Sequence, residues 1–551
     1  MRSHTDSFIC ELPLRLAGDD ERVLAVRFDT ARQAYNACLS ESLRRLDLLR
    51  QSRAYQDARS LPKGKKGTEA WKVRAAAFRR AEEQAGFREY DLHAWAAEHI
   101  AHQWLGEHLD INTVQKIATR AFRAVREYSF GKKGRPRFKG PNQLDSVEGK
   151  TNQSGIRWRE DAVEWLGLRL RAVIDPFDPV VAHGLRSRVK YVRLVRRRLN
   201  GRVRYWMQLV CEGKPYQKPE NTVGAGRVGI DPGPRAFGLA GEDWGAQVDL
   251  ATPLKGDRAQ VRRLQRRVDR QRRANNPANY LPDGRVRPGP KRWKVSRKQR
   301  QAEKQLAEAQ RRAAAHRHCL HGQLANAILR VGDDIRVEKN SYRSFQRRFG
   351  RSVGLAGPAG FVSVLTRKAA NAGAQARQLP ARLRLSQVCH GCGCIEKKPL
   401  SQRVHECACG VGPVQRDVYS AWLACMAVPD SNESAERRPE PGEGWRLDAG
   451  QARRSWPGAE PRLPAASSPM SVPEFCSWAR EVARGSPRAA RLPPEHSRRV
   501  DGTERLAGEV GAMADEARNV VGSVHIRFPA GVADSRESER VGRVATRTPA
   551  L

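Results

Sequence analysis

A chain of 551 residues with 101 Lys and Arg against 60 Asp and Glu carries a formal charge of +41 and a pI near 10.7. That length can bury two or three cores, and so large a positive excess repels itself unless a polyanion neutralises it, which makes nucleic acid the first-choice partner. No segment of spanning length is uniformly apolar, so no membrane-spanning helix and a soluble, cytoplasmic, nucleoid-associated bacterial protein are expected.

Residues 8–16 alternate apolar and polar types as a half-buried strand does, and are too short and too interrupted by charge to be a signal peptide core. Helical spacing follows through Ala31, Tyr35, Leu39 and Leu43, and again over about 92–128. The run Gly131-Lys-Lys-Gly-Arg-Pro-Arg-Phe-Lys-Gly is more pointed. Its glycines let backbone approach a phosphate chain, Lys132, Lys133, Arg135, Arg137 and Lys139 can neutralise that chain, and Phe138 can stack on a base. The competing expectation is a solvated basic loop with Phe138 as a local core plug. From 163 to 211 the pattern is that of strands. Asn200-Gly201 between two alternating runs predicts a hairpin whose tight turn needs positive φ angles. Its arginines, Arg196 and Arg198 among them, are expected to share a polar face against nucleic acid backbone, although a merely solvated sheet face would look the same.

Residues 228–230 predict a buried strand opening onto Asp231, after which Pro232, Gly233 and Pro234 force a turn. Val261, Leu264 and Val268 mark a basic amphipathic helix. A break at 275–290 separates it from a longer helix through Leu306, Ala309, Ala313, Leu320 and Leu324, giving a helical hairpin over about 255–330. Residues 335–337 form a second short strand that delivers Glu338. Asp417 precedes Val418, Tyr419, Ala421 and Leu423 and so lies in the first turn of a helix, where the dipole favours a carboxylate. Any one of these acids alone would pass for a turn or a cap. Together they have the layout of a two-metal nuclease, because two Mg²⁺ ions about 4 Å apart need carboxylate oxygens gathered from distant parts of a chain.

Five of the 11 cysteines fall between Cys389 and Cys409, a clustering that points to metal rather than disulfides. Cys389-x-x-Cys392 and Cys407-x-Cys409, with 14 residues between the pairs, suit a Zn²⁺ ribbon of four thiolates. The second pair is tighter than usual, and His390, Cys394 and His405 stay open as alternative ligands. Beyond Val428, Pro, Gly, Ser, Arg and Glu dominate, predicting a low-complexity, largely disordered tail over 429–551 with one short helical candidate at 504–517.

Taken in order, the N-terminal strand with Ala34-Tyr-Asn-Ala, Gly134-Arg-Pro-Arg-Phe-Lys, Gly229-Ile-Asp-Pro-Gly, Val337-Glu-Lys, Ser386-Gln-Val-Cys-His-Gly-Cys-Gly and Arg416-Asp-Val make a set. With it the chain resembles the TnpB-type transposon-encoded RNA-guided nucleases and their relatives, the compact type V CRISPR effectors. The resemblance runs over roughly 8–427. It implies an α/β multidomain protein with a ribonuclease H-like (RuvC) nuclease core over 221–428, carrying a zinc-bearing target-binding insert at 386–412. It also implies a wedge β-barrel over 1–220 with a helical recognition insertion at about 25–140, and catalytic roles for Asp231, Glu338 and Asp417. A bound guide RNA would pair with one strand of a double-stranded DNA target, so that base pairing reads sequence while protein reads a short flanking motif. Two departures stand out: the family often has Asp-Arg-Asp-x-Asn where this chain has Gln415-Arg-Asp-Val-Tyr419, and the second cysteine pair is Cys-x-Cys. An RNA-guided, Mg²⁺-dependent DNA endonuclease is the leading expectation. The alternative is a DNA-binding protein, guided by RNA or not, that silences targets or assists transposition without cleavage. A strand-transferring transposase would use similar carboxylates, but the resemblance argues against it. The oligomeric state is not legible in the chain.

Overall fold

The computed structural model describes residues 6–100, 104–399, 401–429, 445–447, 452 and 469–484. At the centre of the first large sheet is β1 (Ser7–Arg15), which alternates as expected: Phe8, Cys10 and Leu12 are buried and Ile9 is exposed. Five helices follow, α1 (Gly18–Gln51), α2 (Arg53–Ser60), α3 (Glu69–Gln84), α4 (Glu89–Ile100) and α5 (Ile111–Ser129). Ala31, Tyr35, Leu39 and Leu43 all lie on the buried side of α1, which packs on α5, and Asp19, Asp20 and Glu21 in its first turn complement the helix dipole.

Strands β2 (Ser146–Glu148), β3 (Arg157–Arg159), β4 (Ala162–Trp165) and β5 (Leu168–Ala172), helix α6 (Pro179–Arg186), and strands β6 (Val189–Leu199) and β7 (Arg202–Glu212) complete this unit. The sheet is antiparallel throughout, in the order β2-β6-β7-β1-β5-β4-β3, and β3 returns into contact with β6, so the sheet rolls over on itself. The β6–β7 turn is Asn200-Gly201, with φ of 49° and 77°. These are the positive angles that favour Asn and Gly at a tight hairpin.

The second sheet begins with an antiparallel meander of β8 (Arg227–Pro232), β9 (Ala236–Ala240) and β10 (Gly245–Asp249). A helical hairpin, α7 (Lys255–Asn275) and α8 (Arg297–Val331), leads to β11 (Asp334–Glu338), which lies parallel to β8. Helices α9 (Tyr342–Ala356) and α10 (Pro358–Ala372) then connect to β12 (Gln375–Leu379), parallel to β11. Val228, Ile230, Ile335 and Val337 are buried because helices cover both faces. The C-terminal half of α8 and α10 cover one face. The other is covered by α11 (Arg416–Met426), which follows the short ribbon of β13 (Val404–His405) and β14 (Val414–Gln415) and is buried along nearly its whole length. Two glycines allow that approach: a Cβ on Gly229 would stand 1.8 Å from the Ala421 carbonyl oxygen, and one on Gly238 2.1 Å from that of Asp417.

The expectation of a disordered tail from 429 is corrected where the structure describes that segment. β15 (Ala427–Pro429) pairs with β16 (Trp445–Leu447), and β17 (Met470–Ser471) adds a sixth strand parallel to β10. Helix α12 (Val472–Ala483) then packs on α8, with Val472, Phe475, Trp478 and Ala479 buried in the core of the second sheet. The physical reason is local. Ser471 and Glu474 form a capping box, and the apolar residues recur at helical spacing. The rest of the predicted tail, including the candidate helix at 504–517, lies outside the described residues. No helix among the described residues is long and apolar enough to cross a membrane.

Candidate active site and metal centre

Strand register brings two of the predicted acids together. Ile230 pairs with Val337 across the parallel β8–β11 ladder, so the next step sets Glu338 beside Asp231. On the other side Asp231 pairs with Gly238, and Gly238 with Gln247, which makes a single row across four strands. Asp417 crosses that row in the first turn of α11, its backbone resting over Gly238. The Gln247 Nε2 donates to Asp417 Oδ2 at 3.3 Å, and the Asn340 Nδ2 donates to Asp231 Oδ1 at 3.3 Å. All three predicted acids therefore meet at one place.

Burial pushes the Asp231 carboxyl well above the usual carboxylate range, and the charges of Glu338 and Asp417 push it the same way. Glu338 is also raised, first by burial. Burial and the charges of Asp231 and Glu338 lift the Tyr342 phenol to about 12. Buried carboxyls that oppose one another's ionisation are relieved by a bound cation, and an all-oxygen donor set suits Mg²⁺. Asp417 also faces cations of the chain itself: Arg403 Nη1 lies 3.6 Å from Oδ2 and Arg416 Nη2 3.4 Å from Oδ1. Sequence reasoning missed Gln247, Asn340, Arg403 and Arg416. Two of them carried a signal, since Gln247 is the polar residue between buried Ala246 and Val248, and Asn340 follows Glu338 at the two-residue spacing of one strand face.

Cys389, Cys392, Cys407 and Cys409 also converge, with their sulfurs all within 4.8 Å of one another. Cys389 and Cys409 are 3.5 Å apart, as are Cys392 and Cys407. Sulfurs at the corners of a Zn²⁺ tetrahedron stand about 3.8 Å apart for a Zn–S bond of about 2.3 Å, so the four thiols fit that ion. The alternative ligands are engaged elsewhere or stand apart. His390 meets the Tyr419 hydroxyl, His405 stacks on the Tyr419 ring, and exposed Cys394 contributes its carbonyl to the knuckle by accepting from the Cys389 N–H. Zinc held by these four thiols, about one per chain, would fall to near zero by elemental analysis in Cys392→Ser, because metal binding and local folding would be one equilibrium at such a site. Undiminished zinc would move the assignment to Cys394.

The predicted nucleic-acid contacts divide. Lys132, Lys133, Arg135 and Arg137 are exposed, with Lys133 paired to Glu127 at 2.6 Å. Phe138 is 57% exposed and is not a core plug. Lys139 is half-buried. Its backbone N–H and C=O bond the Asn36 side chain at 2.8 and 2.9 Å, and its ammonium lies over Tyr35, so it fastens the loop to α1. The expectation that the hairpin arginines share one face is corrected. Alternation puts Arg193 and Arg197 on one side, paired with Glu148 and Glu11, and Arg196 and Arg198 on the other. Arg196 is buried over Phe28 and donates to the Leu144 carbonyl at 2.9 Å, so it does not face solvent. Arg198 does. Arg196→Ala should cost about 1–3 kcal/mol of stability from lost buried hydrogen bonds, read by denaturant unfolding. Arg198→Ala should leave stability unchanged, and were Arg198 a phosphate contact it would reduce the salt slope of nucleic acid binding by about one.

No family model matches the chain, and no curated protein matches it. Among solved structures, the chain is similar to a Cas12f1–sgRNA–target DNA complex at 10% identity and a TM-score of 0.38, covering 76% of this chain and 98% of that one. It is also similar to a CRISPR-Cas12f ternary complex at 11% identity and a TM-score of 0.25, covering 76% and 83%.

Proposed function

We propose that this protein is an RNA-guided, Mg²⁺-dependent DNA endonuclease with Asp231, Glu338 and Asp417 as its catalytic carboxylates. The observation that carries the proposal is their convergence, from segments separated by a helical hairpin and a cysteine insert, at the C-terminal ends of two central strands of a mixed sheet. We read the strand order β10-β9-β8-β11-β12 as a ribonuclease H-like (RuvC-type) core. Mg²⁺ held by these oxygens would supply positive charge to both the attacking and the leaving oxygen of a phosphodiester. The chain's own part is positional: Asn340 and Gln247 orient two of the carboxylates, and buried strands on both sides hold them in register. A charge of +41 and the exposed basic loop at 131–140 support a guide RNA and a DNA target as partners. The ordered TnpB-like motifs support division of labour between guide pairing and protein contacts.

A second reading, DNA binding without cleavage, is favoured by one observation. Asp417 is engaged by Arg403 and Arg416 and flanked by Gln415 and Tyr419, the positions where the chain departs from the TnpB pattern. One experiment separates the two. The purified protein, the RNA that co-purifies with it, Mg²⁺ and DNA matching that RNA beside a randomised flanking sequence should yield cut ends. Matched DNA that is bound and never cut would overturn the endonuclease proposal and leave the binding-only reading.

A further inference from the structure

The cysteine insert and the carboxylate row meet at one helix. Gln415 at the end of β14 caps α11 by accepting from the Val418 N–H at 2.7 Å, and Arg416 donates to the Pro399 carbonyl at 3.1 Å. Asp417 then faces the carboxylate row. Tyr419 comes two residues later, about 200° around the helix at 3.6 residues per turn, and so points away from that row. It points into the cysteine knuckles. The Tyr419 hydroxyl accepts from the His390 backbone N–H at 3.0 Å and lies 2.9 Å from the His390 Nδ1. An oxygen that accepts from the amide still has its own proton to give, which suits an unprotonated Nδ1.

The other knuckle holds the same ring. His405, two residues before Cys407, stacks on Tyr419 with centroids 4.1 Å apart and planes 23° apart. His390 lies inside the Cys389–Cys392 knuckle, and one turn further along α11 it also meets Trp422 edge to face at 5.1 Å. Both knuckles therefore grip one side chain of the helix that presents Asp417. Tyr419 is buried and the helix around it is packed against glycines with no spare room, so a shift of the knuckles has to move the helix.

We infer that Tyr419 is a positioning residue that couples the metal-bound state of the four cysteines to the placement of Asp417, making the cysteine insert part of the carboxylate site and not only a target-binding flap. The clamp itself does not depend on the chemistry performed, whereas its consequence for Mg²⁺ rests on the endonuclease proposal. With the thiols bound to zinc, the knuckles are rigid and the first turn of α11 is pinned. Without zinc, that turn loses two hydrogen bonds and a ring stack together, and Asp417 drifts from the row.

The test has two arms, and the first needs no cleavage. Hydrogen–deuterium exchange over residues 416–426 is measured in the wild-type protein with zinc, in the wild type after chelation, and in Tyr419→Phe with zinc. Tyr419→Phe keeps the stack on His405 but loses the hydroxyl, and is expected to retain wild-type zinc content. Both perturbed samples should exchange roughly five- to tenfold faster in the first turn of α11, about the effect of losing 1–1.4 kcal/mol of local stability. The second arm titrates Mg²⁺ in the cleavage reaction. Tyr419→Phe should need several-fold more Mg²⁺ for half-maximal rate and recover near wild-type rate at saturation, whereas simple loss of folded protein would lower the maximum alone. Exchange unchanged by chelation and by the substitution would overturn the coupling. Should Tyr419→Phe fail to fold, chelation of the wild type decides the first arm without it. A wild-type protein that never cuts DNA would sink the endonuclease proposal while leaving the exchange result to decide the coupling.

Discussion

Asp231→Asn should abolish DNA cutting while leaving RNA loading and DNA binding intact. Asparagine keeps the shape of the side chain and its contact with Asn340, but removes the negative charge at the centre of the row formed with Glu338 and Asp417. A loss of at least about 10³-fold in rate is expected, roughly 4 kcal/mol of transition-state stabilisation. Under the proposed function, binding would rest on the basic surface and on base pairing, which do not need this carboxylate. The same substitution should affect stability in the opposite direction. Asp231 binds its proton more tightly in the folded chain than the ordinary value of 3.8. Its favourable contribution is therefore complete below that value and is lost as pH rises through the higher folded value. At neutral pH without divalent metal the wild type carries this penalty and Asp231→Asn does not, so the variant should melt at higher temperature. Thermal melts at pH 5 and pH 7.5 should show the gap between the two proteins widening with pH. Full cleavage by Asp231→Asn would remove it from the active site.

Ending the chain at residue 429 should cripple the fold, although composition alone would call everything beyond it dispensable. Such a truncation removes β17 from the edge of β10 and strips α12 from α8, exposing the surfaces that Val472, Phe475, Trp478 and Ala479 cover. Phe475 is fully buried, 5.2 Å from the Trp478 ring and 6.1 Å from that of Trp244. Phe475→Ala alone should cost about 3–5 kcal/mol, a fall of roughly 6–20 °C in Tm for a unit of this size. A chain ending at 429 should be aggregation-prone. Wild-type solubility and Tm in the 429 truncation would show that α12 contributes nothing to the core.

Much of this protein is written locally in its sequence. The alternation of β1, the Asn200-Gly201 turn, the helical hairpin, and the strand ends carrying Asp231 and Glu338 all follow from periodicities of two or 3.6 residues and from residues that tolerate positive φ. The four cysteines were legible from spacing, because two knuckles can place four thiolates only within a narrow range of loop lengths. The capping box at Ser471 was equally local, but the surrounding composition masked it when the segment was judged as a whole. Tertiary structure alone decided the rest. Nothing in residues 227–338 says that β8 and β11 are neighbours, parallel and in the register that sets Glu338 beside Asp231. Nothing near Arg196 says that Phe28 and the Leu144 carbonyl wait on its side of the sheet while Arg198 meets solvent, or that Arg403 reaches Asp417 and Tyr419 turns its ring into the cysteine knuckles. A chain's own periodicity determines which face of an element is apolar. Which other element covers that face is determined by packing between residues far apart in sequence, and that is where the carboxylates, the cysteines and the helix between them acquire their geometry.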